Sequence, residues 1–262
     1  MHYNLLFNGC SYTQGSELEG INKDYEYRKR HRYSHIISER LGKTYDNISV
    51  GGGSNDRIVR ETLHWFNSGN TCDLAIIQWT EITRIEYISA YAEPPISFNP
   101  RFVVTEWEGW GNDTPKIKKD HEETKLAHEH FYKYFYNSAL GIHNFYKNLY
   151  ILEQFFEKNN INYYMIKLSP NFLWGRRLKH SICFSDNPNQ YTNFFWETLC
   201  KHDFFSISSI RNTMINIQDK ENFTPKHLGH QLLTGTHPSE LGHQRIADYV
   251  MNMITDKYND LL

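Results

Sequence analysis

Long apolar runs are missing from this chain of 262 residues. No stretch approaches the ~18 consecutive apolar residues that a membrane-spanning helix needs, so a membrane partner is not expected. Charge of one sign is missing too: 28 Lys and Arg stand against 30 Asp and Glu, a formal net charge of −2. That balance argues against a general nucleic-acid binder, whose phosphate contacts demand a basic excess. The one basic run, Arg28-Lys29-Arg30-His31-Arg32, reads as a solvated loop or helix face. Cysteine is scarce: Cys10, Cys72, Cys183 and Cys200 fall at irregular spacing with no CxxC pair. Reduced thiols are therefore expected, and with no secretory signal ahead of the first strand-like run, so is a cytoplasmic site of synthesis. Repeats and low-complexity tracts are also lacking, and the length suits one large domain or two small ones.

What is abundant is aromatic side chain, 15% of the chain, with 18 Tyr, 16 Phe and 6 Trp. Such rings fill cores, and they also line surfaces that stack on sugars or bases. Tyr3 to Phe7 is a short apolar run closed by Asn8-Gly9, the pattern of a buried strand. Tyr33, Ile36, Ile37 and Leu41 recur at helical spacing. Tyr45 to Val50 predicts a second strand, closed by Gly51-Gly52-Gly53. Asp56 to Phe66 places Ile58, Val59, Thr62, Leu63 and Phe66 on one helical face, and Leu74 to Trp79 predicts a third strand. Alternation of strand, glycine-rich turn and helix indicates parallel βαβ units.

From about residue 84 to 120 the rhythm breaks around four prolines, Pro94, Pro95, Pro100 and Pro115, which predicts an insertion, a lid or an arm. Residues 125 to 158 read as one long helix with Phe131, Phe135, Ile142, Phe145, Leu149, Leu152 and Phe156 near helical period, ended by Asn159-Asn160. Tyr163 to Leu168 predicts the next strand, and residues 172 to 223 carry no clear pattern. A last helix is expected over Leu241 to Tyr258, with Pro238-Ser239 as its start and Leu241, Ile246, Tyr249, Val250, Met253 and Ile254 inward. The expected fold is α/β: a three-layer α/β/α sandwich, flavodoxin-like, with a mostly parallel sheet of about five strands. Residues 1 to 262 then form one domain, with an insertion after the third strand.

Two distant segments stand out chemically. Gly9-Cys10-Ser11-Tyr12-Thr13-Gln14-Gly15 puts Ser11 on a tight turn after the first strand, and Gly235-Thr236-His237-Pro238-Ser239 puts an imidazole just ahead of the last helix. A serine hydroxyl is a weak nucleophile until a base lies within hydrogen-bond reach, and these are the best-matched pair in the chain. In an open parallel sheet, ligands bind outside the carboxyl ends of the strands, where Ser11, Gly52 and Thr80 follow the first three in turn. A glycine at 52 allows close backbone approach and angles closed to other residues.

These blocks resemble those of the SGNH (GDSL-like) hydrolases, and their style resembles phage-encoded members. Gly9-Cys10-Ser11-Tyr12-Thr13-Gln14-Gly15 matches the first block, Asn47 to Asp56 the second, and His237-Pro238-Ser239 with Gly242-His243 the last. The match covers the two ends and the first eighty residues or so; the insertion and residues 172 to 223 lie outside it. It implies Ser11 as nucleophile, His237 as base, and backbone N–H groups of Ser11 and Gly52 as an oxyanion hole, each donor worth roughly 10²–10³ in rate. It further implies hydrolysis of small acyl esters, such as O-acetyl groups on carbohydrate or glycan, with no cofactor.

The chain departs from the family at two places. The third block supplies an Asn; here Thr80 ends the third strand, with Asn112 of Gly109-Trp110-Gly111-Asn112-Asp113 as a rival that follows a weaker strand. The family's orienting acid stands three residues before the His, where this chain has Thr234. Either a main-chain carbonyl or one of Asp186, Asp203, Asp219 and Glu221 orients His237, or the enzyme is slow or inactive. Losing that acid from a full triad drops turnover on the order of 10⁴.

Simpler roles exist for each feature. Ser11 could cap a turn, Trp107 and Trp110 could pin the insertion instead of stacking on a sugar, and Cys10 reads as core filling pointed away from Ser11. His243 reads as packing or support. Two other functions stay open: a catalytically weakened glycan-binding or virion-structural protein on the same scaffold, and a metal-assisted phosphoesterase built on His227, His230, His237 and His243. Gly51-Gly52-Gly53-Ser54 lacks the GxGxxG and GK[ST] patterns of phosphate loops.

Overall fold

Four parallel strands form the centre of the computed structural model, in the order β2-β1-β3-β6. The structure describes residues 1–16, 18, 25–87, 96–98, 126–127, 129–136, 138–167, 233–234 and 237–258. The strands are β1 (His2–Asn8), β2 (Tyr45–Asn47), β3 (Thr71–Trp79) and β6 (Asn162–Lys167). In chain order this is second, first, third, fourth, the arrangement of a flavodoxin-like doubly wound sheet. Leu5 pairs with Tyr45 on one side and Leu74 on the other, and Leu74 pairs in turn with Asn162.

The strands read as nearly continuous apolar runs because both faces are covered. Leu6, Ala75, Ile77 and Met165 face one way and pack with Ile58, Val59, Phe145, Leu149, Leu152 and Phe156 from α4 (Asn55–Asn67) and α5 (Ser138–Lys158). Leu5, Phe7, Leu74, Ile76, Tyr164 and Ile166 face the other way, against Tyr33, Ile36 and Ile37 of α3 (Tyr33–Leu41) and Ile246, Val250 and Ile254 of α6 (Glu240–Tyr258). This is the expected three-layer sandwich. Short elements complete it: α1 (Ser11–Gln14), α2 (Tyr25–His31), an antiparallel pair β4 (Ile85–Tyr87) and β5 (Ile96–Phe98) beyond the third strand, and a hairpin β7 (Leu233–Thr234) and β8 (His237–Pro238).

Helix ends follow local chemistry. Ser54 caps α4 by accepting from the Arg57 N–H. Gly42, at φ 61°, closes α3 with its N–H on the Glu39 carbonyl. Asn160, at φ 54°, ends α5 in the same left-handed conformation.

Four expectations change. The second strand stops at Asn47, because that side chain turns on its own backbone: its Oδ1 accepts from the Ser49 N–H at 3.1 Å and from the Ser49 hydroxyl. The long helix before residue 158 is interrupted. Phe131–Phe135 forms a π-helix whose Tyr136 N–H reaches the Phe131 carbonyl at 2.8 Å, and extended backbone at Tyr136 precedes α5. The extra residue in that turn breaks the periodicity, and Phe135 is 69% exposed instead of inward. Leu241 is 42% exposed rather than packed, since it lies in the first turn of α6, ahead of the buried stripe that begins at Gly242.

The basic run is the fourth. It is helical, as one reading allowed, but Arg28 and Arg32 are buried. Arg28 stacks on the Tyr25 ring at 4.7 Å and Arg32 on the Tyr45 ring at 5.6 Å. Stems of both lie where a side chain at Gly15 would be, so aliphatic packing takes them out of water.

Candidate active site

Ser11 stands at the carboxyl end of β1, the first residue of a single helical turn. Two buried polar anchors fix that turn. Asn8 accepts the Gly9 N–H at 2.8 Å and donates to the Ile58 carbonyl and the Thr62 hydroxyl on α4. Gln78, wholly buried on β3, accepts from the Cys10 N–H at 3.0 Å and from the Thr13 hydroxyl at 2.9 Å. Gly9 leaves room for this: a Cβ there would sit 2.7 Å from Gln78 Oε1 and overlap Thr13 as well. Gly15, at φ 82°, closes the turn by donating to the Ser11 carbonyl.

Ser11 itself is 5% exposed. Its hydroxyl lies 3.9 Å from the Cys10 sulfur, and that thiol also reaches Gln78 Oε1 at 3.2 Å. Cys10 is therefore not turned away from Ser11 as its expected strand-like geometry implied. As the N-cap residue it lies beside the Ser11 turn, and it is buried, so its core-filling role stands.

The glycine triplet forms the second wall. The Gly53 N–H reaches the Val50 carbonyl at 3.1 Å, closing a turn in which Gly52, the third residue, has φ +74° while Gly51 stays at negative φ. That is a type II turn, whose third position is reserved for residues tolerating positive φ. The turn leans on the Ser11 segment through Val50 N–H to the Gly9 carbonyl at 3.3 Å and Gly51 N–H to Gln14 Oε1 at 2.8 Å. Among the described residues neither the Ser11 nor the Gly52 N–H donates a hydrogen bond.

Thr80, at the end of β3, is the third wall. Asn55 grips its backbone from both sides, accepting from the Thr80 N–H at 2.9 Å and donating to its carbonyl at 3.3 Å. Among the described residues the Thr80 hydroxyl is buried and has no hydrogen-bond partner. Arg84 bounds the same region, 3.5 Å from the Gly53 carbonyl.

His237 arrives from the other end of the chain. It sits on β8, across the hairpin from Thr234, and its ring meets Tyr12 edge-on with centroids 5.4 Å apart. The motif's two ends thus share a contact at α1. Behind it His243 is fully buried, parallel to Tyr33, with Nδ1 accepting the Tyr33 N–H at 3.2 Å. Burial first, then the nearby His237 and Arg32, pushes its imidazole down to about 3. His243 is thus neutral, a support and not the base.

A consequence concerns stability. Below pH about 6.5 the unfolded chain protonates this histidine and the native fold does not, so stability falls as pH drops toward about 3. The slope approaches about 1.4 kcal/mol per pH unit. His243→Asn keeps an acceptor for Tyr33 without titrating there. Its urea midpoint is expected to fall less than that of the natural chain between pH about 7 and about 5.

Trp107, Trp110, Asn112, the four carboxylates proposed to orient His237, and His227 and His230 lie outside the described residues. Among the described residues no group of three or more His, Cys, Asp or Glu is arranged to hold a metal ion, and no helix is long and apolar enough to cross a membrane. Motif reading passed over Gln14, Asn55 and Gln78. Gln78 carried a signal: a glutamine inside the apolar run Leu74–Trp79 must find partners once buried.

No protein-family model matches the chain, and no curated protein matches it significantly. The chain is similar to several solved structures. Esterase EstA from Pseudoalteromonas sp., in a form inhibited by monoethylphosphonate, is 12% identical with a TM-score of 0.45, over 98% of this chain and 99% of that one. A family two carbohydrate esterase from Clostridium thermocellum, in complex with cellohexaose, is 13% identical with a TM-score of 0.46, over 99% of this chain and 65% of that one. A protein from Desulfitobacterium hafniense assigned to the lipolytic G-D-S-L family is 10% identical with a TM-score of 0.45, over 95% and 98%.

Proposed function

We propose that this chain is a serine ester hydrolase of the SGNH type. The observation that carries the reading is the meeting at α1: the helix turn that begins with Ser11 also packs, through Tyr12, against His237. In the reaction, Ser11 Oγ attacks the acyl carbonyl while His237 takes the hydroxyl proton. The carbonyl oxygen, now negative, accepts from the N–H groups of Ser11 and Gly52, with the Thr80 hydroxyl as a third donor. The alcohol leaves with the proton held by His237, and an acyl-serine remains. His237 then draws a proton from water, hydroxide adds to the acyl carbon, and the free acid departs as Ser11 regains its proton.

A hydroxyl at the amino end of a helix turn suits this chemistry, because the positive end of the turn's peptide dipoles favours developing negative charge. The substrates proposed are small acyl esters, with O-acyl groups on carbohydrate or glycan the class that the family resemblance implies. A second reading, a binding protein on this scaffold, is favoured by Thr234 at the position of the family's acid.

A fluorophosphonate probe separates the two. The hydrolase reading expects one stoichiometric adduct, mapped by peptide mass spectrometry to Ser11 and unaffected by chelator. Absence of any adduct, together with no turnover of p-nitrophenyl acetate, favours the binding protein.

A further inference from the structure

Gln14 is the last residue of the nucleophile turn, one helical turn beyond Ser11, and its side chain is nearly buried. Its Oε1 accepts two hydrogen bonds, from the Gly51 N–H at 2.8 Å and from the Ser16 hydroxyl at 3.1 Å. A backbone N–H can only donate, so the amide's orientation is set: oxygen toward the glycine triplet. Gly51 is the second residue of the type II turn, and its peptide link to Gly52 carries the N–H assigned to the oxyanion.

Three consecutive glycines are the loosest backbone a chain can present. An oxyanion donor, by contrast, must sit within about 2.7–3.1 Å of its target. Asn47 ties β2 to α1 by donating to the Thr13 carbonyl, but its carbonyl oxygen stops at Ser49. On the amino-terminal side the triplet is held by Val50 N–H to the Gly9 carbonyl, a longer contact at 3.3 Å. The Gln14 bond is the shorter link between the two elements that carry the donors.

We propose that Gln14 is a positioning residue, a clamp that sets the Gly52 N–H at the correct distance from Ser11. The inference rests on the serine hydrolase reading above. A clamp of this kind acts on the transition state, where the oxyanion exists, more than on substrate binding. Its loss therefore lowers kcat and leaves KM nearly unchanged, and a misplacement of about 1 Å is enough for a loss on the order of 10²-fold.

The test uses the full chain and two variants. Gln14→Met keeps the length and removes the acceptor; Gln14→Glu keeps an acceptor oxygen. Amide exchange at Gly51 is followed by NMR, and kcat and KM are measured with p-nitrophenyl acetate, with Ser11→Ala alongside. Expected for Gln14→Met is Gly51 exchange faster by about tenfold, from the loss of one hydrogen bond. With it comes a kcat lower by about 10–100-fold and a KM within about threefold. Gln14→Glu is expected to retain Gly51 protection.

Wild-type exchange and kcat in Gln14→Met, with Ser11→Ala inactive, overturn the clamp and leave the serine reading intact. A natural chain as inert as Ser11→Ala overturns the serine reading, and the positioning role falls with it. If Gln14→Met does not fold, Gln14→Glu decides: a Gly51 amide that exchanges about tenfold faster than in the natural chain overturns the clamp.

Discussion

Ser11→Ala is expected to remove ester turnover almost entirely, by a factor on the order of 10⁴–10⁶, and to leave the fold intact. The reason is a division of labour within one residue. The hydroxyl's resolved contact is a long one, 3.9 Å to the Cys10 sulfur, so deleting it disturbs little packing. The Ser11 backbone does the structural work, with its carbonyl accepting the Gly15 and Ser16 N–H groups, and alanine keeps that. A melting temperature within a few degrees of the natural chain is expected, since stability changes stay near or below about 1 kcal/mol. His237→Ala is expected to cost a comparable factor, because a hydroxyl without its base is nearly inert. The double variant should lose little beyond either single one, as members of a catalytic unit fail together. Steady-state rates on p-nitrophenyl acetate, with thermal melts on the same samples, check all three. Full turnover in Ser11→Ala with an unchanged melt would falsify the assignment of the nucleophile.

The fold was legible where side-chain pattern and backbone demand agree. Apolar runs ended by Asn8-Gly9 and by Trp79 announce strands covered on both faces, and α3 runs from Tyr33 to Leu41, the limits its helical spacing defines. Legibility failed where a side chain competes with the backbone. Asn47 turns β2 off early through its own hydrogen bonds, and periodicity holds no trace of that competition. The π-helix at Phe131–Phe135 is similar: one i→i−5 bond shifts the register, and only the tertiary setting selects it, with the Tyr132 hydroxyl donating to the Thr83 carbonyl.

The candidate site divides in the same way. Ser11, Gly52, Thr80 and His237 are visible in one dimension because turn glycines and strand ends mark them. The residues that hold them, Gln14, Asn55 and Gln78, act over long sequence distance and depend on register. Cys10 meets Gln78 only because β1 and β3 pair with Asn8 opposite Ile77. Charge was read least well. Arg28 and Arg32 belong to a run that composition places in water, yet aromatic faces at Tyr25 and Tyr45 accept their guanidinium groups.

Gly52 carries the second large effect. Gly52→Ala is expected to lower kcat by about 10²–10³-fold with only a small change in melting temperature. Crowding is not the cause, since a Cβ at this position would meet nothing within 4 Å among the described residues. The cause is φ. At +74° an L-residue is strained by roughly 1–2 kcal/mol, and the turn escapes by flipping its central peptide from type II to type I. The flip costs the fold little, because the closing bond from the Gly53 N–H to the Val50 carbonyl survives in both forms. It reverses the site, however: the Gly51 carbonyl points where the Gly52 N–H pointed, and an acceptor faces the developing oxyanion. Gly52→Asn separates strain from side-chain presence, because Asn tolerates the left-handed region far better than Ala. Its kcat should fall by less than that of Gly52→Ala, at similar KM. Equal losses for the two would show that the side chain itself, and not the orientation of one peptide, impairs the reaction.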